Sequence, residues 1–290
     1  MSQAIPILVL TVGVICLSFG SIFVRLADAP ALVKSAYRLG ISSLIVVPYA
    51  LIFHRREYLA MSRRDLGICA ASGFFLALHF VTWIASLDYT TIASSVILVN
   101  TIPVWIALFG AITGFARMSR KMWASALLGF LGACIVGYGD ISFGKTALKG
   151  NFLAVAGAWL AAAYIMCGRE VRKKLGLVPY IALCYGIAAV VLWSAVLVVG
   201  YEITGFSNTT WGAFIGLAVM SQILGHSSYN WALGYFSAGF VGIMMLGEPL
   251  GSVTLAYFLF NEAPTLTKIV GGALLLYAIV IAAREENRVR

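Results

Sequence analysis

Residues 239 to 260 read GFVGIMMLGEPLGSVTLAYFLF, an apolar run with an acid and a proline near its middle. As helix it would cover about 33 Å, enough to cross a bilayer. Glu248 would then sit where a charge costs about 3 kcal/mol, and an ionisable group at that depth points to function. It can meet a cationic group on a solute or exchange a proton; the structural alternative is a cap on backbone broken by Pro249. Pro103 lies in a second apolar run, NTIPVWIALFGAITG, from Asn100. A proline inside a helix leaves the carbonyl four residues back unbonded, here those of Val99 and Met245. Such a carbonyl can line a wet cavity or a hinge, or merely mark a packing kink.

Two histidines stand in similar surroundings. His79 is followed at i+4 by Trp83, and His226 at i+3 and i+4 by Tyr229 and Asn230. On helices these spacings make one polar-aromatic stripe each. Either histidine alone is satisfied by a neighbouring carbonyl or hydroxyl. Together with Trp159, and with Asn100 as an amide donor and acceptor, they outline an aromatic-lined pocket for a small amphipathic solute. Trp123 and Trp211, at segment starts, read as interfacial anchors. No spacing suits a metal, a nucleophilic triad or a phosphate-cradling glycine loop, so no enzyme, ATP drive or cofactor is expected. The five cysteines stand singly in or beside apolar runs and read as small packing residues.

Elements able to hold such residues must be membrane helices. Of 290 residues 61% are hydrophobic and 11% charged, and the mean hydropathy is +0.96. Soluble domains carry about 25% charge. The net charge of +9 comes from short basic clusters between apolar segments, which argues for a lipid bilayer as partner and against nucleic acid. Ten apolar segments run approximately over 6–24, 35–53, 67–87, 93–114, 123–139, 150–168, 178–200, 211–232, 239–260 and 268–283. With both termini cytoplasmic, fourteen Lys and Arg fall inside and six outside, Arg38 among the outer ones; the positive-inside rule favours that orientation. Ser125, Gly129, Ala133 and Gly137 form a small-residue ladder for close helix contact, within the fold or across a dimer.

The chain also resembles itself. The stretch from Leu87 lies over that from Leu233 at a shift of 146, pairing Tyr89 with Tyr235 and Pro103 with Pro249. Five spans per unit is an odd number, so the second unit enters the membrane from the opposite side. The expected fold is an all-α polytopic membrane protein of ten transmembrane helices, two inverted five-helix repeats over 1–144 and 145–290. Inverted repeats build the two alternating states of many secondary transporters.

GSIFVRLADAPAL in the first span, NTIPVWIALFGAITG in the fourth and LGEPLGSVTLAYFLFNEAPT in the ninth carry a resemblance to the drug/metabolite transporter superfamily, EamA type. It covers the ten spans almost end to end. The second-half exit FNEAPT carries Glu262, whereas its first-half counterpart GFARMS has no acid. The resemblance, closest in kind to bacterial exporters of aromatic and other amino acids, implies an inner-membrane exporter of small metabolites, monomeric or homodimeric. A sugar-phosphate or nucleotide-sugar carrier would need Lys or Arg deep in the spans. Here the bases hug the ends, Arg38 deepest. An integral-membrane enzyme and a non-transporting scaffold are the rivals from other classes.

Overall fold

Serine and threonine open several of the helices, each by accepting a backbone N–H two or three residues on. The computed structural model describes residues 4–114, 118–136, 145–260 and 265–289, so Glu262, Gly137 and Arg117 lie outside the described residues. The regular elements among the described residues are all helices. The first half runs α1 (Ala4–Ser18), α2 (Gly20–Leu26), α3 (Ala31–Phe53), α4 (Arg55–Leu59), α5 (Arg63–Ser86), α6 (Ile92–Val99), α7 (Ile102–Thr113) and α8 (Arg120–Val136). The second half has α9 (Lys145–Arg172), α10 (Leu177–Val199) and α11 (Asn208–Gly216). It continues through a π-helix (Leu217–His226) into α12 (Ser227–Ala232), α13 (Ala238–Met245), α14 (Glu248–Phe260) and α15 (Leu266–Val289). Ser62, Thr91, Ser207 and Ser237 cap α5, α6, α11 and α13. Gly114 (φ 72°) and Gly200 (φ 76°) end α7 and α10 in the left-handed conformation that glycine adopts without strain.

Seven helical stretches among the described residues are long and apolar enough to cross a membrane: Ile5–Leu26, Ala31–Phe53, Arg63–Ser86, Ser94–Thr113, Thr146–Arg172, Leu177–Val199 and Leu266–Arg288. The chain is thus an all-α polytopic membrane protein. Three expected spans differ for local reasons. α8 has 17 residues, the eighth is interrupted by the π-helix, and the ninth is broken at Leu246–Gly247 between α13 and α14. Large apolar side chains such as Leu44, Phe152 and Val198 lie exposed on the outside, where lipid is the matching solvent.

Packing partners exchange with the halves. α5 packs on α9, and the π-helix and α12 pack on α1. α6 and α7 likewise meet α9, as α13 and α14 meet α1. The equivalent pairs α3 with α10 and α8 with α15 complete the pattern. The small-residue ladder works inside the fold. Ser125 donates a short hydrogen bond to the Ala278 carbonyl, and Gly132 and Gly271 bring the α8 and α15 backbones together.

Candidate functional site

The two prolines do not kink continuous helices. Each stands in the first turn of a separate helix, α7 or α14, where a missing N–H is tolerated. The helix breaks just before it, at Asn100–Thr101 and at Leu246–Gly247, again 146 residues apart. In the first break Asn100 Nδ2 donates to the Val96 carbonyl at 2.8 Å. At the second, Glu248 opens α14, and its carbonyl accepts from Ser18 Oγ of α1 at 3.3 Å.

Between the breaks lies a cavity of ≈ 20 Å³, room for about one water molecule. Its walls include Glu248, Asn100, His79, Trp83 and His226 from the expected set. His79 Nδ1 lies 2.8 Å from the Gly157 carbonyl. A carbonyl only accepts, so Nδ1 carries the hydrogen and Nε2 of the neutral ring is the acceptor. His79 stacks on Trp83 at 6.3 Å between centroids and lies 6.4 Å from His226.

Other expected residues stand apart. Trp159 is 51% exposed and packs on Trp105 and Phe109 rather than in the cavity wall. Asn230 is fully buried in a closed network: its Oδ1 accepts from Tyr164 Oη at 2.6 Å, and its Nδ2 donates to Tyr185 Oη at 3.1 Å. Tyr229 touches the His226 ring edge-on at 6.2 Å but does not line the cavity.

Arg38 corrects the expectation that the bases hug the ends. It lies two turns into α3, has no exposed surface and lines the cavity. Its Nε donates to Gln222 Oε1 at 2.8 Å, and its guanidinium carbon lies 3.9 Å from the centroid of the Phe80 ring. Gln222 reaches it from the π-helix, whose wider turn also presents His226; π segments often mark functional sites. Both residues had a visible signal, a lone arginine and a lone glutamine inside apolar runs. Among the described residues no group of three His, Cys, Asp or Glu could hold a metal ion.

A model of the EamA-like transporter family matches residues 4–138 and again 148–284. The chain is 28% identical over 267 residues to an uncharacterized transporter of Archaeoglobus fulgidus, covering 91% of each chain. It is 22% identical over 263 residues to the pseudopaline exporter CntI of Pseudomonas aeruginosa, covering 90% of this chain and 89% of that protein. A solved crystal structure shares its fold with a TM-score of 0.79 and 17% identity, over 100% of both chains.

Proposed function

Because the chain belongs to the EamA-like transporter family, in the drug/metabolite transporter superfamily, we propose that it exports small amphipathic metabolites, amino acids including aromatic ones, by alternating access. The observation that carries this reading is the central cavity, where the broken fourth and ninth spans meet Glu248, His79, His226 and Trp83. The family match over both halves and the exchange of packing partners support two units related by a two-fold axis. With five spans each the units are inverted, ten spans in all, and they divide at 144/145. Rocking of one unit on the other opens the site to one side at a time. The protein sits in the cell inner membrane with both termini in the cytoplasm, an orientation that the basic clusters support. A relative named as an exporter supports efflux as the direction.

Arg38 in the cavity favours a second reading, an anion carrier of sugar-phosphate type. Glu248 in the lining of the same cavity weighs against it, because a doubly charged phosphate would meet that carboxylate. The deciding experiment loads purified protein into proteoliposomes and screens counterflow of radiolabelled amino acids and glucose 6-phosphate, with and without a pH gradient. Amino-acid flux above protein-free vesicles is expected. Flux of the sugar phosphate alone would overturn the reading in favour of the second, and no flux of any solute would point to a scaffold.

A further inference from the structure

Three buried nitrogens around the centre of the molecule have no hydrogen-bond partner and can only donate: both terminal nitrogens of Arg38 and Trp83 Nε1. His226 Nδ1 is also without a partner. Buried donors of this kind are rarely left unmet, and each asks for an acceptor. The guanidinium is already aimed. Gln222 holds Nε and the Phe80 face holds the plane, so the two terminal nitrogens are the part left for a ligand. Two parallel N–H groups match the two oxygens of a carboxylate.

The cavity wall also carries the opposite charge. Glu248 lines it from the start of α14, and among the described residues no ion pair joins it to Arg38. A buried acid and base that served only to neutralise each other would close into contact, because unpaired buried charges are costly. Both lining one cavity without closing on each other, they are complementary to a solute that carries both charges itself.

We propose that the cavity is a zwitterion clamp in which Arg38 binds the substrate's carboxylate and Glu248 its ammonium group. The clamp rests on the exporter reading above and names the headgroup that reading requires. It assigns Arg38 as the specificity-determining residue for the acid end. The cavity as it stands holds about one water, so the headgroup enters as the walls part and the clamp closes on it.

The test uses the protein in proteoliposomes and four phenyl compounds that differ in which charged groups they carry: L-phenylalanine, L-phenylalaninamide, 3-phenylpropionate and phenethylamine. Half-saturating concentrations are read from competition with radiolabelled L-phenylalanine counterflow. In the unmodified protein, loss of either charged group should weaken competition about 10- to 100-fold, the span expected for hydrogen bonds to charged groups. In Arg38→Gln, L-phenylalanine should weaken by a similar factor while L-phenylalaninamide keeps its unmodified value. Arg38→Lys, which keeps the charge but not the fork, should fall between. If Arg38→Gln does not fold, the analogue series on the unmodified protein and Arg38→Lys still decide. Equal competition by the acid and its amide, or equal weakening of both in Arg38→Gln, would overturn the clamp and leave amino-acid export standing. Flux of glucose 6-phosphate without any of L-phenylalanine would overturn both the clamp and the amino-acid reading, as would no flux at all.

Discussion

Arg38 and Asn230 are both fully buried polar side chains, yet only Asn230 has its side chain's partners in place. That difference separates a residue built to hold the fold from one built to hold something else. Asn230 ties α9, α10 and α12 by accepting from Tyr164 and donating to Tyr185, whose hydroxyl also meets Ser227 at 3.1 Å. Asn230→Ala leaves the Tyr164 hydroxyl without its acceptor in the core, which should cost about 1–3 kcal/mol. The check is thermal unfolding of the purified variant alongside its half-saturating concentration for L-phenylalanine. A lower melting temperature with unchanged affinity is the expected pair. Lost affinity at an unchanged melting temperature would make Asn230 a substrate contact after all. The sequence signal for these two residues was the same, a polar side chain inside an apolar run. Only the partners brought in by distant helices distinguish them.

At the scale of helices, glycine decides how closely pairs approach. A Cβ on Gly271 would lie 2.6 Å from the Gly132 carbonyl oxygen and 2.7 Å from the Val136 amide nitrogen. These are backbone atoms and cannot swing aside. Gly271→Ala should therefore separate α8 from α15 and destabilise by about 1–3 kcal/mol, the usual cost of overpacking. Gly67, near the start of α5, has nothing within 4 Å of a built Cβ. There Gly67→Ala should stabilise by about 1 kcal/mol through helix propensity alone. Opposite shifts in melting temperature are the expected result; two shifts of the same sign would refute the packing account. The ladder from Ser125 through Ala133 marked α8 in the sequence for close packing, within the fold or across a dimer, though Gly132 lies beside it and its partner Gly271 was not legible. The breaks at 100–101 and 246–247 were legible only in part. Pro103 and Pro249 marked the places, but each proline follows its break, since the first turn of a helix can spare the N–H that its interior cannot. The π-helix left no mark in the apolar pattern, which reads the same for a wider turn. The burial of Arg38 is not legible from its place along the span, because it depends on α5 and the π-helix packing over α3.

The whole molecule is tied across its halves at both ends, with the small cavity between them. At one end Glu57 accepts from the Gly176 amide at 3.1 Å, and Lys174 pairs with Asp65 at 3.4 Å. At the other, Tyr37 donates to the Ile203 carbonyl, the Asp28 amide donates to Thr210 Oγ1, and Thr90 donates to Asn151 Oδ1. Transport by alternating access requires one set of ties to part while the other holds, so weakening one set should tilt the population towards opening on that side. The Glu57 and Lys174 ties lie among the basic clusters, expected in the cytoplasm by the positive-inside rule. The same end also holds Tyr58 Oη on the Pro179 carbonyl at 3.4 Å and Lys121 by Glu285 at 4.0 Å. Glu57→Ala with Lys174→Ala removes the first two, and so weakens that end, without touching the cavity. A cysteine in place of Leu17, which lines the cavity, reports the opening once the five native cysteines are replaced by alanine. An impermeant maleimide added to inside-out vesicles should label it several-fold faster in the double variant, while labelling in right-side-out vesicles falls. Exposed surface ties are individually weak, so the shift is read as a change in rate and not as all-or-none opening. The same vesicles settle the orientation, since single cysteines at the two termini should both react only when inside-out. Termini on opposite faces would contradict the ten-span count. Equal labelling of the cavity cysteine from both faces, unmoved by the double variant, would mean that the ends do not gate the site.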